Sequence, residues 1–367
     1  IGNIAFHEFP KTWPALAEQL ASCIFNQQKI EVVDRALRIL VVLARKFRYR
    51  QKVPPLVTTP GTNPFELYLP MQGLTRIFIA RLGPLFKQLV GQNSPVAGSM
   101  LKSILKTYLN MSKNSNATDM EITGPFMVQW FSLVKLLIDK KLPEASENKE
   151  PRGQPTNPEA RDKWIWWKLK KWGIRLSHQL LLACMKTKTT MPDHEYETQK
   201  PNAVLATTYL ERVAPHMLQS VLGVVALRTH RHYCPDIVFS EALKYLHASL
   251  SPGNLYKILR PHMIGLSFKV LYPLMCFSNK TWAAWKASPE DFIYRDYDVS
   301  DDFIDIESSA SALINEAVQI RPKLFPPMLM GVVDGWKRLM AKLISPLPIV
   351  LDMEFPERWL VWFVRMH

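Results

Sequence analysis

The chain has 367 residues with a hydrophobic content of 47%, and its 46 Lys and Arg exceed its 32 Asp and Glu to give a net charge of +14. The low count of 14 glycines argues against an all-β fold, which needs many turns, and no apolar run approaches the roughly 20 residues that cross a bilayer. The positive balance favours nucleic acid, a membrane surface or acidic protein segments as partners, although solubility alone is the simpler interpretation.

Apolar residues at steps of three and four predict a series of helices in the first half of the chain. Residues 1–50 are predicted to form two antiparallel helices, the second of them at residues 30–50. Three further helices are predicted, at residues 65–90, 95–110 and 122–139. Pro70 and Pro84 are expected to break the first of these three. A stretch rich in proline, glutamate and asparagine, residues 143–162, is predicted to be a solvated loop insertion.

The second half continues the same plan. Helices are predicted at residues 164–185, 203–228, 237–250, 255–271, 309–320 and 328–344, and a tryptophan-rich closing segment that contains Trp359 and Trp362 is predicted to be helical as well. Pro273 is expected to kink or end the strongly apolar helix that begins at residue 255. The recurring unit is helix, turn, helix over about 40–50 residues, which is the period of HEAT-type repeats. We therefore predict an all-α fold, one elongated α-solenoid of helical hairpins over residues 1–367, with an irregular all-α globule as the alternative.

One acidic segment stands out in this basic chain. Residues 290–307 carry eight carboxylates against one base, Arg295, and aromatic side chains are interleaved with them. The segment is either a solvated loop or a surface that binds Lys/Arg-rich protein segments through charge-assisted hydrogen bonds and cation–π contacts. In the second case the candidate contact residues are Glu290, Asp291, Asp296, Asp298, Asp301 and Asp302.

The helix predicted at residues 164–185 combines four tryptophans with many bases. Aromatic rings interleaved with cations can stack on and neutralise nucleic acid, and they can also form a peptide-binding surface. Trp164, Trp167 and Lys171 lie on one helical face, with Lys168 adjoining it. The same pattern arises when the rings are core and the lysine stems reach outward to water. A packing role, a peptide surface made of these four residues and a nucleic-acid surface all stay open.

The sequence gives no support for catalysis. It contains none of the glycine-rich phosphate loops, nucleophile elbows or zinc-protease signatures. The nearest approach to a metal site is His230, His232 and Cys234, but side chains two apart on a helix diverge and a fourth ligand is missing at a usual spacing. The four cysteines are far apart in the sequence, which favours free thiols in a reducing compartment. We expect neither an enzyme nor a bound cofactor.

Several segments between residues 6 and 305 carry a family resemblance, and they occur in the family's order. They are FPKTWPALAEQL, LVVLARKFRYR, FMVQWFSLVKLLIDKKLPE, WWKLKKWGIRLSHQLL, PDIVFSEALKYLHASLSPGNLYKILRPH, LYPLMCFS and SPEDFIYRDYDVSDDF. On these segments the chain resembles the nuclear transport receptors of the importin-β (karyopherin) superfamily. Within that superfamily it is most similar to the branch of importin seven and importin eight.

The resemblance implies a HEAT-repeat import receptor without catalytic activity or membrane insertion. Its implied partners are the small GTPase Ran in its GTP form, basic cargo such as ribosomal proteins or histones, and Phe-Gly nucleoporins. It also implies shuttling between nucleus and cytoplasm, with transient contact at the nuclear pore. Because the chain opens at Ile1 without a methionine, we expect its ends to be incomplete. A helical-repeat nucleic-acid-binding protein and a structural scaffold in a larger assembly are the alternative functions.

Overall fold

The computed structural model describes residues 2–9, 12–26, 29–50, 69–112, 117–141, 157–189, 204, 206–230, 232–275, 283, 285–290, 306–323, 325–327, 330–331 and 334. The chain divides into two compact units, Ile1–Glu316 and Ala317–His367. Nearly all the helices with defined bounds lie in the first unit, and the boundary falls within the last of them. The regular structure of the described ranges is helical throughout.

The helices, numbered in chain order, are α1 Gly2–Glu8, α2 Leu16–Phe25, α3 Ile30–Arg50, α4 Leu69–Val90, α5 Pro95–Ser112, α6 Ala117–Asp139, α7 Pro158–Asp162, α8 Ile165–Thr189, α9 Ala214–Thr229, α10 Asp236–Ala248, α11 Gly253–Leu266, α12 Tyr272–Met275 and α13 Ile306–Ile320. A π-helical turn, Tyr209–Val213, leads into α9, and a second one, Ser267–Leu271, joins α11 to α12.

The long helices of the first unit form two rows. The first row contains α2, α4, α6, α9 and α11, and the second row contains α3, α5, α8 and α10. Within each row, each helix contacts the next one along, and α2/α3, α4/α5, α6/α8 and α9/α10 pair across the rows. Helical hairpins stacked in this way bury their apolar faces against their neighbours. The predicted all-α fold of HEAT-type hairpins is confirmed.

Buried aromatic rings join the hairpins in the middle of the first unit. The ring of Trp130 on α6 lies 5.7 Å from Phe86 on α4 and 4.6 Å from Tyr108 on α5. Phe131 on α6 meets Tyr209 in the π-helical turn at 5.2 Å. Such pairs contribute about 0.5–1.5 kcal/mol each beyond the area that they bury. The Trp130 Nε1–H donates to a backbone carbonyl, so the indole is buried without an unpaired donor.

Glycines allow two pairs of helices to approach closely. A Cβ on Gly98 of α5 would lie 2.8 Å from Cγ1 of Ile165 on α8, and a Cβ on Gly173 of α8 would lie 3.1 Å from Cγ1 of Ile138 on α6. Both distances are shorter than ordinary carbon–carbon contact. The absence of a side chain at these two positions therefore brings α8 close to α5 in its own row and to α6 in the other.

Three local predictions need correction. Residues 1–50 form three helices rather than two, because the short α1 precedes the predicted pair. Pro84 does not break α4, which runs unbroken from Leu69 to Val90. Pro84 and Ala80, whose carbonyl loses its amide donor, are both exposed, so water can satisfy that carbonyl. The apolar helix of residues 255–271 changes to π geometry at Ser267, before Pro273 is reached.

The predicted loop insertion at residues 143–162 ends in the short helix α7. Its N-cap is Asn157, whose side chain accepts a hydrogen bond from the amide of Glu159 at 3.0 Å, and Pro158 occupies the first turn. Both are standard devices for starting a helix. Residues 142–156, like the predicted tryptophan-rich closing segment, lie outside the described residues. In the described part of the chain, no helix has the length and apolar character needed to cross a membrane.

Candidate interaction surface

The predicted acidic contact residues fall almost entirely outside the described part of the chain. Glu290 is described and is exposed. The others, Asp291, Asp296, Asp298, Asp301 and Asp302, lie outside the described residues. The role of this segment in binding basic partners therefore stays a prediction.

The tryptophans of α8 divide between core and surface. Trp167 is 1% exposed and meets the ring of Tyr233 edge-on at 6.0 Å, and Trp166 is also buried. Trp164, which lies one residue before α8, is half-buried. Of the three roles left open, packing is the one that fits Trp167, because its indole is part of the core and is not accessible to a peptide. Lys168 and Lys171 are half-buried and remain at the surface.

Lys170 is a buried cation that the sequence analysis missed. Its ammonium group donates to the carbonyl oxygens of Ile138 and, at 2.9 Å, Lys140, which lie at the C-terminal end of α6. Burial lowers the pKa of Lys170 to about 8, against a smaller opposing effect of Asp139. The available signal was its position three residues after Trp167 on an otherwise apolar face of the helix.

Lys140 makes the same kind of contact one hairpin earlier. Its ammonium group donates to the carbonyl oxygens of Val90 at 2.6 Å and Gln92 at 3.3 Å, at the end of α4. It also lies 4.8 Å from the ring centroid of Trp166. A cation at a helix C-terminus satisfies free carbonyls and complements the helix dipole. Lysines from later elements thus cap two successive first-row helices, α4 and α6.

A second set of bases forms a surface across the second row, which we call the basic ridge. It consists of cations from three helices that pack side by side. Its members are Arg38 and Arg45 on α3, Lys102 and Lys106 on α5, and Lys168, Lys171 and Arg175 on α8. Spacings of three, four and seven residues place the members from each helix on one face of that helix.

Trp172 on α8 is the aromatic centre of the basic ridge. Its ring centroid lies 4.8 Å from Nζ of Lys106, 5.5 Å from Cζ of Arg175 and 5.7 Å from Nζ of Lys171. These distances are within cation–π range. Because Lys106 comes from α5 and the other two cations from α8, the ring connects the bases of two neighbouring helices.

Burial and neighbouring cations lower the pKa values of three ridge lysines, Lys102, Lys106 and Lys171. Partial burial is the largest cause for Lys102, followed by the charges of Lys168 and Arg38. Partial burial also lowers the pKa of Lys106, and Lys102 is the strongest of the neighbouring cations that add to it. For Lys171 burial again comes first, then the charge of Arg175. Each shift means that the charged form is disfavoured as the ridge stands.

The nearby carboxylates are paired with arginines at the two ends of the ridge. Asp34 lies 2.7 Å from Arg38, and the buried Glu241 of α10 lies 3.3 Å from Arg175. Among the residues that the structure describes, no carboxylate oxygen lies within 4 Å of the ridge lysines, which are Lys102, Lys106, Lys168 and Lys171. The four ridge lysines are therefore half-buried cations that no carboxylate of the described part of the chain contacts directly.

No comparable cluster of metal-binding groups is found in the described ranges. Cys234 is buried, whereas His230 and His232 are exposed. Burial raises the pKa of the Cys234 thiol to about 12, and that of the Cys184 thiol to a similar value. In the described ranges no three His, Cys, Asp or Glu side chains come together in a way that would hold a metal ion.

Comparison with known proteins supports the resemblance found in the sequence. No protein-family model matches the chain. It is 26% identical over 344 residues to the Importin beta-like SAD2 homolog of Arabidopsis thaliana, covering 92% of this chain and 30% of that protein. It is 21% identical over 323 residues to Importin-8 of Homo sapiens, covering 88% of this chain and 28% of the relative. The chain resembles importins along most of its length.

The predicted resemblance to the importin-β superfamily is thereby confirmed. The chain is also 20% identical over 332 residues to the Probable importin-7 homolog of Dictyostelium discoideum, covering 89% of this chain and 28% of that protein. Among solved structures, the exportin Cse1 in its cargo-free, cytoplasmic state is similar with a TM-score of 0.64 at 15% identity, covering 99% of this chain and 35% of Cse1. That likeness shows a shared helical-repeat fold. This importin-like chain spans less than a third of the length of the curated relatives it matches.

Proposed function

We propose that the chain is part of a karyopherin-type nuclear transport receptor and holds partner proteins rather than transforming a substrate. The observation that carries the proposal is the similarity to importins over about nine-tenths of the chain, in a fold of stacked hairpins that is shared with an exportin. Stacked repeats offer long continuous surfaces, which suits the recognition of other proteins.

In this role the receptor binds Ran in its GTP form, basic cargo such as ribosomal proteins or histones, and Phe-Gly nucleoporins, and it shuttles between cytoplasm and nucleus. The acidic segment of residues 290–307 is the surface proposed for basic cargo or Ran, because clustered carboxylates form charge-assisted hydrogen bonds with lysine and arginine. Binding of Ran-GTP and of import cargo is expected to be mutually exclusive, so that each ligand lowers the apparent affinity for the other.

A pull-down with the full receptor that contains this chain tests the proposal. Immobilised receptor is offered Ran locked in its GTP form, Ran-GDP, and a histone as the basic cargo. Retention of Ran-GTP and histone, with Ran-GTP displacing the histone, is the expected result. A receptor that retains neither Ran-GTP nor the histone would overturn the proposal.

Matched charge variants test the role of the acidic segment. Neutralising three of its carboxylates should weaken retention of the histone, whereas neutralising three exposed glutamates elsewhere should not. The two triple variants are Asp298→Asn, Asp301→Asn and Asp302→Asn on one side, and Glu18→Gln, Glu31→Gln and Glu211→Gln on the other. Equal histone retention by the two variants would remove the segment from the proposal while leaving the receptor function standing.

A helical-repeat nucleic-acid-binding protein is the second candidate, because the basic ridge gathers cations around a tryptophan. Such binding weakens steeply as salt is added, since each neutralised phosphate releases counter-ions. Titration of the chain with a single-stranded oligonucleotide at low and physiological salt checks it. Affinity that stays flat across that range would exclude this function.

A further inference from the structure

We propose that the basic ridge is a docking surface for an extended protein segment rich in aspartate and glutamate. The ridge lies on α3, α5 and α8, on the second row of helices, and is separate in sequence from the acidic segment of residues 290–307. The inference therefore adds a partner of opposite charge to the basic partners of the proposed function. It rests on the ridge geometry and does not require that function.

The dimensions of the ridge suit a short run of extended chain. Three helices packed side by side, at about 8–10 Å between neighbouring axes, extend over roughly 20 Å. An extended chain covers about 3.3 Å per residue, so about six residues cross the ridge. Such a segment passes the arginines of α3, the lysines of α5 and the bases of α8 in turn, which allows several carboxylates to reach a cation each.

The charge of the ridge is suited to carboxylates. The four ridge lysines are half-buried, face one another across α5 and α8, and have no carboxylate within 4 Å among the described residues. Like charges brought together and partly desolvated weaken a folded structure unless an anion compensates them. A bound carboxylate offsets that repulsion and accepts charge-assisted hydrogen bonds from the ammonium groups.

The ends of the ridge and its tryptophan favour a protein segment over nucleic acid. Asp34 and the buried Glu241 already pair with Arg38 and Arg175 on the two outer helices of the ridge, so the cations without a paired carboxylate are confined to a short patch. Three cations lie 4.8–5.7 Å from the centroid of the Trp172 ring, so a base that stacks on this ring competes with them. A bounded patch with an occupied ring fits a short acidic peptide better than a polynucleotide strand.

The test measures binding of three labelled probes to the full chain by fluorescence anisotropy. The first is a ten-residue peptide with six glutamates, the second is the same peptide with glutamine in place of each glutamate, and the third is a ten-nucleotide single-stranded DNA. The expected result is binding of the glutamate peptide, weakening as salt is raised, and at least about tenfold weaker binding of the other two. Equal or tighter binding of the DNA, or no binding of the glutamate peptide, would overturn the proposal.

Two double variants with the same loss of charge locate the binding site. Lys102→Gln with Lys106→Gln removes the α5 part of the ridge, and Lys87→Gln with Lys257→Gln removes two exposed lysines from α4 and α11 of the first row. The first variant is expected to weaken the glutamate peptide about tenfold and the second less than about twofold, with circular dichroism confirming that both are folded. Equal weakening by both would mean that net charge alone attracts the peptide, and the docking surface would be refuted.

The two proposals fail separately. The peptide assay contains neither Ran nor a basic cargo, so a negative result there leaves the receptor function untouched. Conversely, a receptor that retains neither Ran-GTP nor histone can still bind the glutamate peptide through Lys102 and Lys106. Each experiment therefore decides its own proposal.

Discussion

Two neighbouring lysines on opposite faces of α8 have different surroundings. Lys170 points into the interior, and its ammonium group is held by the carbonyl oxygens of Ile138 and Lys140. Lys171, the next residue, lies on the basic ridge with Arg175 and Lys106 close to the same tryptophan and no carboxylate of the described residues within 4 Å. Lys170 thus joins α8 to the end of α6 within the fold, whereas Lys171 presents positive charge at the surface that a partner can contact.

Truncation of a tryptophan on each face gives the largest expected difference. Trp167→Ala removes a buried indole and should lower the free energy of unfolding by about 3–5 kcal/mol. Trp172→Ala removes a half-buried ring with cation–π contacts and should lower it by roughly 1–2 kcal/mol. Urea unfolding of both variants beside the wild type measures the contrast. Equal losses would show that the ridge tryptophan belongs to the core as well.

The pH dependence of stability sharpens the contrast between the two lysines. The pKa of Lys170 is about 8 in the folded chain against 10.5 unfolded, so between those values the unfolded state binds more protons and stability rises with pH. The free-energy cost of burying the charged ammonium group is present in full below pH 8 and is lost as the pH approaches 10.5. The free energy of unfolding therefore rises by roughly 3 kcal/mol in total over this range. The wild type should therefore gain stability relative to Lys170→Met as pH rises through this window.

Urea unfolding of the wild type and Lys170→Met at pH 7, 8, 9 and 10 provides the measurement. The comparison cancels the buried thiols of Cys184 and Cys234, whose raised pKa values lower stability above pH 9 in both proteins. Lys171→Met is the control on the ridge: its lowered pKa gives the same sign, and its partial exposure gives a smaller change. A difference between wild type and Lys170→Met that is constant with pH would contradict the burial of this ammonium group.

Glycine substitutions test whether close packing of α5 against α8 positions the ridge. Gly98→Ala places a methyl group 2.8 Å from Cγ1 of Ile165 and should lower stability by about 1–2 kcal/mol. Gly223→Ala on α9, where nothing lies within 4 Å of the new Cβ, should raise stability by roughly 0.5–1 kcal/mol through helix propensity. Thermal unfolding compares the two. A stabilised Gly98→Ala would show that the two helices have room to separate.

Much of the fold was predictable from the sequence because apolar periodicity is a local signal. The bounds of α3 agree with the predicted second helix of residues 30–50, and α6 ends at the predicted residue, Asp139. Proline was less informative, since Pro84 lies inside α4 on its exposed side. A proline inside a helix costs less when water can satisfy the carbonyl that it leaves unpaired, and exposure is not visible in the sequence.

The candidate surface was predictable only in part. The concentration of bases and tryptophans on α8 was evident from the sequence, and so was the ambiguity of Trp167 between core and surface. Lys102 and Lys106 were not singled out, because their importance comes from the packing of α5 between α3 and α8. Lys170 was missed for the same reason: its partners, Ile138 and Lys140, lie about 30 residues earlier in the chain. Long-range contacts of this kind carry no local sequence pattern.

The smallest expected effect concerns the repulsion within the ridge itself. Lys102→Gln removes a cation that faces Lys168 and Arg38, so at low ionic strength it should raise the free energy of unfolding by about 0.3–0.5 kcal/mol. Added salt screens this repulsion, and in about 0.5 M salt the gain should disappear. Lys87→Gln, at an exposed position on α4, provides the control without a comparable gain. Urea unfolding of both variants at the two salt concentrations provides the measurement. A loss of stability in Lys102→Gln at low salt would mean that an anion already compensates the charge of this lysine, which would contradict the proposed repulsion within the ridge.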